Sequence, residues 1–128
     1  MAQTILIIDD DSFVSQALHD LLSFHELTGN ILHASNGQKG LKIALESEPD
    51  AIFVDYNMPV MNGLTFVKEL RANSNQDNLP LVMMTAEDNL GTTSLKEMRS
   101  HCKGVLNKPF TFDEVFSVLD SVLGTAVA

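Results

Sequence analysis

The sequence is poor in several residue types, and each shortage excludes a class of structure or partner. Its 128 residues include no tryptophan, one cysteine, and only eight lysines and arginines against seventeen acidic residues. The single cysteine, Cys102, cannot form an internal disulfide and fits a reducing compartment. A net charge of −9 argues against direct nucleic-acid binding, because phosphate contacts need clustered basic side chains.

Long apolar runs are also missing. No window approaches the roughly 20 apolar residues that span a bilayer, and no basic segment precedes an apolar one at the N-terminus. We therefore expect no membrane span, no secretory signal and a cytoplasmic location. With 45% apolar and 20% charged residues, the composition is that of one globular domain.

The sequence does contain short apolar runs, each of which ends in polar side chains. Short apolar runs bounded by polar breaks are typical of strands that are buried on both faces. The runs at 5–8, 51–54, 81–84 and 104–107 are followed by Asp9-Asp10-Asp11, Asp55, Thr85 and Lys108.

Helical periodicity fills the stretches between these runs. A further short run, at 31–34, follows a chain break predicted at Gly29-Asn30. Five strands alternating with five helices predict an α/β fold with right-handed crossovers. We expect one doubly wound, five-stranded parallel sheet with the flavodoxin-like order 2-1-3-4-5 and helices on both faces.

Two of the predicted helices are distinctive. The stretch 88–101 is the weakest, because Gly91, Thr92 and Thr93 are poor helix formers. The last helix begins with a capping-box pattern at 111–114, and Phe112 is the first of the apolar residues that we expect to face inward.

The predicted topology gathers carboxylates at one edge of the sheet, where ligands of open α/β sheets bind. Asp9, Asp10 and Asp55 would repel one another there, and a bound cation would relieve the repulsion. Oxygen donors favour Mg²⁺, which takes one or two carboxylates and keeps several waters. We expect Asp10 and Asp55 as direct ligands, Asp9 acting through water or toward Lys108, and the backbone carbonyl of Asn57 completing the set.

The same edge can carry out phosphoryl transfer. Asp55 stands alone at its strand end and is the best candidate for a nucleophile that becomes an acyl phosphate. Lys108 would hold one phosphoryl oxygen as a point charge, and the Thr85 hydroxyl would donate to another. This chemistry needs positioning and charge neutralisation and little else.

Four segments match the motifs of one known family in order and spacing. They are residues 7–11, 53–63, 83–86 and 107–110. On these segments nearly the whole chain resembles the receiver domain of two-component response regulators, and it is most similar to the stand-alone chemotaxis type. The domain would span residues 1–124, with 125–128 as a short tail or the start of a linker.

The resemblance implies a phospho-acceptor switch rather than an enzyme. It implies that Asp55 accepts a phosphoryl group, with Mg²⁺, from a sensor histidine kinase or a histidine phosphotransfer protein. It implies a cis Lys108–Pro109 peptide and a role for Asn57 and Glu87 in the lifetime of the phosphate. It also implies a protein target that binds the face formed by helix 4, strand 5 and helix 5.

One departure from the family pattern affects how the switch would work. Val105 stands three residues before Lys108, where the family usually carries Tyr or Phe. In the family this ring moves inward when the threonine shifts toward the phosphate, and valine has no ring that could do so. We therefore expect the signal to pass through movement of the loop after Thr85 and of the weak helix beyond it.

Two other functions stay open at this point. A phosphatase of the haloacid dehalogenase type also uses an aspartyl phosphate, and Asp9 and Asp11 have that family's spacing, but its cap insertion is missing. A receiver-like interaction module that signals without phosphate is the other alternative, which the Val105 departure keeps open.

Overall fold

The computed structural model of the chain describes residues 3–26, 28–73, 79–86 and 92–123, with the backbone alone described at 92–95. Within the described residues, ten elements alternate in sequence order, as the sequence predicts. They are β1 (Gln3–Ile8), α1 (Ser12–Ser23), β2 (Thr28–Ala34), α2 (Gly37–Ser47), β3 (Ala51–Asp55), α3 (Gly63–Asn73), β4 (Leu81–Thr85), α4 (Thr92–His101), β5 (Gly104–Asn107) and α5 (Phe112–Val122).

The five strands form one parallel sheet with the order β2-β1-β3-β4-β5, which confirms the prediction. The chain starts at the interior strand β1, moves to the edge at β2, and then crosses β1 to continue through β3, β4 and β5. The direction of winding reverses between β1 and β3. Ligands of open α/β sheets bind at such a switch point, outside the carboxyl ends of the strands.

Alternate side chains along each strand enter two separate cores, because successive residues of a strand point to opposite faces. One core joins the strands to α2, α3 and α4, with Leu6, Ile52 and Phe66 fully buried. The other joins them to α1 and α5, with Ile7, Phe53 and residues of both helices buried. Helices therefore cover both faces of the sheet, as predicted.

Polar side chains fix the starts of α1, α2 and α5. Asp11 caps α1 and accepts from the backbone N–H of Phe13 at 2.9 Å, so it acts as a helix cap. Asn36 caps α2 through the N–H of Lys39. The capping box predicted for α5 is present, with reciprocal bonds between Thr111 and Glu114.

Two predictions about local structure were wrong. Gly29 and Asn30 do not break the chain but lie inside β2, which begins at Thr28; the pairing of β1 with β2 shifts register there, as in a β-bulge. Phe112 does not face inward, since 44% of its surface is exposed. It stacks on Phe116 at the outside of α5.

The weak helix predicted at 88–101 corresponds to α4, which covers Thr92–His101; residues 87–91 lie outside the described part of the chain. Arg71 of α3 donates to the carbonyl of His101 at 3.3 Å, and Lys68 forms an ion pair with Glu97 at 2.7 Å. These contacts tie α4 to α3. Among the described residues no helix is long and apolar enough to cross a membrane.

Candidate functional site

Three carboxylates meet at the carboxyl ends of β1 and β3. Asp9, Asp10 and Asp55 each offer an oxygen within 4.8 Å of the other two. Asp9 and Asp55 are buried, with 3% and 4% of their surface exposed, whereas Asp10 is open to solvent. The site is thus an acidic pocket in which Asp9 and Asp55 are buried and Asp10 faces the solvent.

Strand pairing explains why these residues converge. Ile8 lies beside Val54 in the sheet, so Asp9 and Asp55, the next residues of each chain segment, emerge side by side. On the other side of β3, Asp55 lies beside Met84 of β4, which brings Thr85 to the same edge. The order of the strands alone accounts for the composition of the pocket.

Lys108 reaches into this pocket from the end of β5. Its backbone N–H donates to the carbonyl of Thr85 at 2.8 Å, which anchors the turn that follows the strand. Its Nζ lies 3.0 Å from Asp9 Oδ2 and 3.0 Å from Asp55 Oδ1. Burial alone would lower the pKa of Lys108, but its hydrogen bonds to Asp9 and Asp55 outweigh this effect and raise it.

Asp55 is held in an environment that disfavours its charge. Burial is the largest influence and raises the pKa of Asp55 above its ordinary value, with a further rise from the nearby Asp9. The hydrogen bond to Lys108 and a backbone hydrogen bond from Asn57 act in the opposite direction without cancelling the rise. A carboxylate in this position gains from any added positive charge.

Thr85 contributes a hydroxyl without a partner. Only 1% of the residue is exposed, and within the described residues its Oγ1 makes no hydrogen bond. A buried hydroxyl normally has a partner, because leaving it unpaired is unfavourable by about 1–3 kcal/mol. An acceptor brought to the strand ends would supply the missing bond.

The loop between β3 and α3 packs closely against the pocket. A Cβ atom at Gly63 would lie 2.6 Å from the backbone oxygen of Asp55 and 2.6 Å from Met83 Sδ. Asn62 accepts from the N–H of Thr65 at 2.8 Å and so acts as a cap for α3. In the sequence, the pair Asn62-Gly63 is typical of a turn. The apolar spacing after this pair was the signal that it also starts a helix that abuts the site.

The remaining predicted site residues have different positions relative to the pocket. Asn57 is exposed, and its backbone contacts the Asp55 carboxylate as described above. The Lys108–Pro109 peptide is cis, as expected. Val105 is half-buried on β5 and lines a groove of about 310 Å³ against α5. Glu87 lies outside the described residues, so its predicted role stays a prediction.

The pocket fits a hard divalent cation. Its donors are carboxylate oxygens from three residues, and the described residues bring no His or Cys into this cluster. Mg²⁺ prefers oxygen ligands, needs few from the protein and retains several waters. The solvent-exposed Asp10 leaves room for those waters. The donor set and its partial exposure therefore match Mg²⁺ better than Zn²⁺.

Comparison with known proteins places this chain in a family. Residues 5–120 match the model of the response regulator receiver domain. The chain belongs to this family, whose members are regulatory domains. The curated response regulator MprA of Mycobacterium ulcerans is 31% identical over 123 residues, which are 96% of this chain and 51% of that protein. This chain therefore spans about half the length of the curated relatives it matches.

Solved structures give the same result for the fold. The chemotaxis protein CheY4 of Vibrio cholerae is similar with a TM-score of 0.85 and 29% identity over 96% of this chain and 100% of that chain. The receiver domain of AraT from Geobacillus stearothermophilus has a TM-score of 0.86 and 25% identity, and covers 99% and 97% of the two chains.

Proposed function

We propose that Asp55 accepts a phosphoryl group and that the chain acts as the switch of a two-component phosphorelay. The observation that carries this proposal is a buried carboxylate, Asp55, in contact with the ammonium of Lys108 and at the same sheet edge as the Thr85 hydroxyl, which makes no hydrogen bond to the described residues. Lys108 and Thr85 are complementary to a phosphorylated Asp55, since the ammonium of Lys108 neutralises charge on the phosphoryl oxygens and the hydroxyl of Thr85 donates a hydrogen bond to them.

The donor is a phosphohistidine on a sensor histidine kinase or on a histidine phosphotransfer protein. An oxygen of the Asp55 carboxylate attacks phosphorus, a P–O bond forms, and the P–N bond to the donor's imidazole breaks. The imidazole leaves with the electron pair of that bond and takes up a proton. The product is an acyl phosphate on Asp55, so the phosphoryl group is transferred without any other reactant.

Lys108 has two roles in this proposal. Before transfer it balances Asp9 and Asp55, which would otherwise face each other buried and unpaired. After transfer its Nζ is in reach of the phosphoryl oxygens, because the phosphoryl group is attached to the carboxylate whose Oδ1 now lies 3.0 Å from Nζ. Thr85 Oγ1 donates to another of these oxygens.

Mg²⁺ would be held by Asp10 and Asp55, with Asp9 contributing through water and the backbone carbonyl of Asn57 completing the protein ligands. When bound, the ion neutralises charge on the carboxylates and on the phosphoryl oxygens. Apart from self-catalysed transfer to and from Asp55, we assign no enzymatic turnover to the chain. A phosphatase of small esters would require sustained release of phosphate, which this proposal does not predict.

The phosphate would change the affinity of a target protein for the face formed by α4, β5 and α5. The N–H of Lys108 donates to the carbonyl of Thr85 at 2.8 Å. A shift of Thr85 that brings its hydroxyl toward the phosphate would therefore also move the end of β5. We expect amide exchange to change across 92–107 when a beryllofluoride mimic binds. Unchanged exchange there would contradict this route.

The proposal is tested by exposing the chain to acetyl phosphate with and without Mg²⁺ and measuring its intact mass. We expect a gain of one phosphoryl group that requires Mg²⁺ and is absent from Asp55→Asn. Asp113→Asn, at an exposed acid of α5, is the matched control and should be labelled like the wild type. An unlabelled wild type, or a labelled Asp55→Asn, would contradict the proposal.

Metal binding has its own readout. Tyr56 is the only tyrosine in a chain without tryptophan, and it directly follows Asp55. Titration with Mg²⁺ should therefore change the tyrosine fluorescence of the wild type in a saturable manner. Asp10→Asn should weaken this response, whereas Asp20→Asn, an exposed acid on α1, should not.

A further inference from the structure

The basic residues of the chain are distributed unequally between the two faces of the sheet. All eight lysines and arginines lie between residues 39 and 108, so residues 1–38 and 109–128 contain none. Helices α1 and α5, which pack together on one face, belong to those two stretches. The face formed by α1 and α5, called the α1–α5 face below, therefore has no lysine or arginine.

The same face carries exposed acids. Asp20 and Glu26, on α1 and just beyond it, are exposed, and so are Asp113, Glu114 and Asp120 of α5. Of these acids, Asp120 pairs with a basic residue of the same face, the buried His25, at 2.7 Å. The helices of the opposite face include ion-paired residues such as Lys68 and Glu97. Negative charge on the α1–α5 face is thus left for solvent or a partner to balance.

Aromatic rings lie among these acids. Phe24, at the end of α1, is 74% exposed, and Phe112, at the start of α5, is 44% exposed. Their ring centroids are 6.4 Å apart, and Phe112 stacks on Phe116 at 4.2 Å. Burying such rings in a partner would gain stability in proportion to the apolar area removed from water. An exposed ring beside carboxylates is also a place where a guanidinium or ammonium group can bind by cation–π attraction and ion pairing.

We propose that the α1–α5 face binds a basic, amphipathic segment of a partner protein. Its apolar side chains cover Phe24 and Phe112, and its arginines and lysines contact the surrounding acids. The charge of the face selects this occupant. A second copy placed face to face would bring like charges together, and nucleic acid or an anionic membrane would be repelled.

This proposal does not depend on phosphorylation of Asp55. The rings of Phe24 and Phe112 lie outside the acidic pocket, and the carboxylates that line the pocket take no part in the contact. A chain that fails to label with acetyl phosphate would still bind the basic segment. Conversely, if the chain is phosphorylated by acetyl phosphate but its α1–α5 face does not bind a basic segment, this proposal is wrong.

The test uses ¹⁵N-labelled full chain and a synthetic amphipathic peptide of leucine and arginine. We expect saturable shifts of amide resonances at the end of α1 and along α5. Phe24→Ser combined with Phe112→Ser should weaken binding by at least roughly tenfold, as expected for aromatic anchors. The matched control is Phe13→Ser, which removes another exposed ring of α1, about 16 Å along the helix from Phe24, and should bind like the wild type.

A second pair of variants tests the charge and does not depend on the aromatic changes being tolerated. Glu26→Lys with Asp113→Lys should weaken the leucine–arginine peptide, whereas Glu46→Lys on α2 should have little effect. A leucine–glutamate peptide of the same pattern should not bind. Its binding with equal affinity would show that charge does not select the occupant, and would overturn the proposal.

Four further results would overturn it. Shifts centred on Asp9, Asp10 and Asp55 would place the peptide in the acidic pocket instead. If Phe24→Ser combined with Phe112→Ser left the affinity for the peptide unchanged, the aromatic rings would not anchor it, and only non-specific charge attraction would hold it. Self-association of the wild type in sedimentation would assign the face to a second copy of the chain, provided that the double serine variant does not self-associate. Binding of the wild type to lipid vesicles, again lost in that variant, would assign the face to a membrane.

Discussion

Replacement of Lys108 by methionine is the sharpest perturbation of the site. The change keeps most of the side-chain volume and removes the charge that lies 3.0 Å from both Asp9 and Asp55. The lysine side chain is 20% exposed, whereas those of Asp9 and Asp55 are 0% and 5% exposed. Two buried carboxylates would then face each other with no cation between them.

The size of the effect follows from this geometry. At an effective dielectric constant of about 20, each contact at 3.0 Å is worth about 5.5 kcal/mol of gross attraction before desolvation is subtracted. Removing one partner of a buried pair typically destabilises a protein by 3–5 kcal/mol. Because Lys108 is partly exposed, we expect the low end, about 3 kcal/mol, which corresponds to roughly 10 °C in Tm for a chain of this length.

Urea denaturation followed by circular dichroism, with chelator present, measures this loss. Added Mg²⁺ should recover more stability in Lys108→Met than in the wild type, because a cation binds only the folded site and replaces the missing charge. The matched control is Lys103→Met, at an exposed lysine, which should stay within about 0.5 kcal/mol of the wild type. A Lys108→Met chain as stable as that control would refute the reasoning.

Three further predictions test neighbouring features. Without metal, Asp55→Asn should raise the free energy of unfolding near neutral pH. Burial raises the pKa of Asp55 and so penalises its charged form, and the substitution removes this penalty. The gain in the free energy of unfolding, measured from urea curves, should shrink as the pH falls toward 3.8, the ordinary pKa of this carboxyl group. Near that pH both the folded and the unfolded chain bind the proton. Gly63→Ala should lower stability by about 2 kcal/mol through its clash with the Asp55 backbone oxygen. Gly104→Ala, whose nearest contact is a side chain at 3.3 Å, should lower it less in the same melts. Finally, burial raises the pKa of Cys102 to about 11, so iodoacetamide should alkylate it at least about 100-fold more slowly than an ordinary thiol, until urea unfolds the chain.

The convergence of the site could be predicted from the sequence because it depends on topology alone. Asp9, Asp55 and Thr85 each end a buried strand, and parallel strands end at the same edge. The order 2-1-3-4-5 then makes β1 and β3 neighbours. No knowledge of side-chain packing was needed for this part of the prediction.

Other features depend on tertiary contacts that a periodic pattern does not contain. The close approach of Gly63 to Asp55 arises where α3 docks on the strand ends, and the spacing of residues along the sequence does not predict this contact. Phe112 has the spacing of an inward residue, but it precedes the turn of α5 that reaches the core and lies on Phe116 instead. Gly29 and Asn30 have the composition of a chain break, because propensity does not include the pairing of β1 with Thr28 and Asn30 on the two sides of the register shift.

The central claim is that the pocket turns one particular carboxylate into a phosphate carrier, and the position of the label tests it most directly. After treatment with acetyl phosphate and Mg²⁺, borohydride reduction converts an aspartyl phosphate to homoserine, which peptide sequencing by mass spectrometry can locate. We expect homoserine at position 55 alone. Homoserine at Asp9 or Asp10, or none at any position, would contradict it.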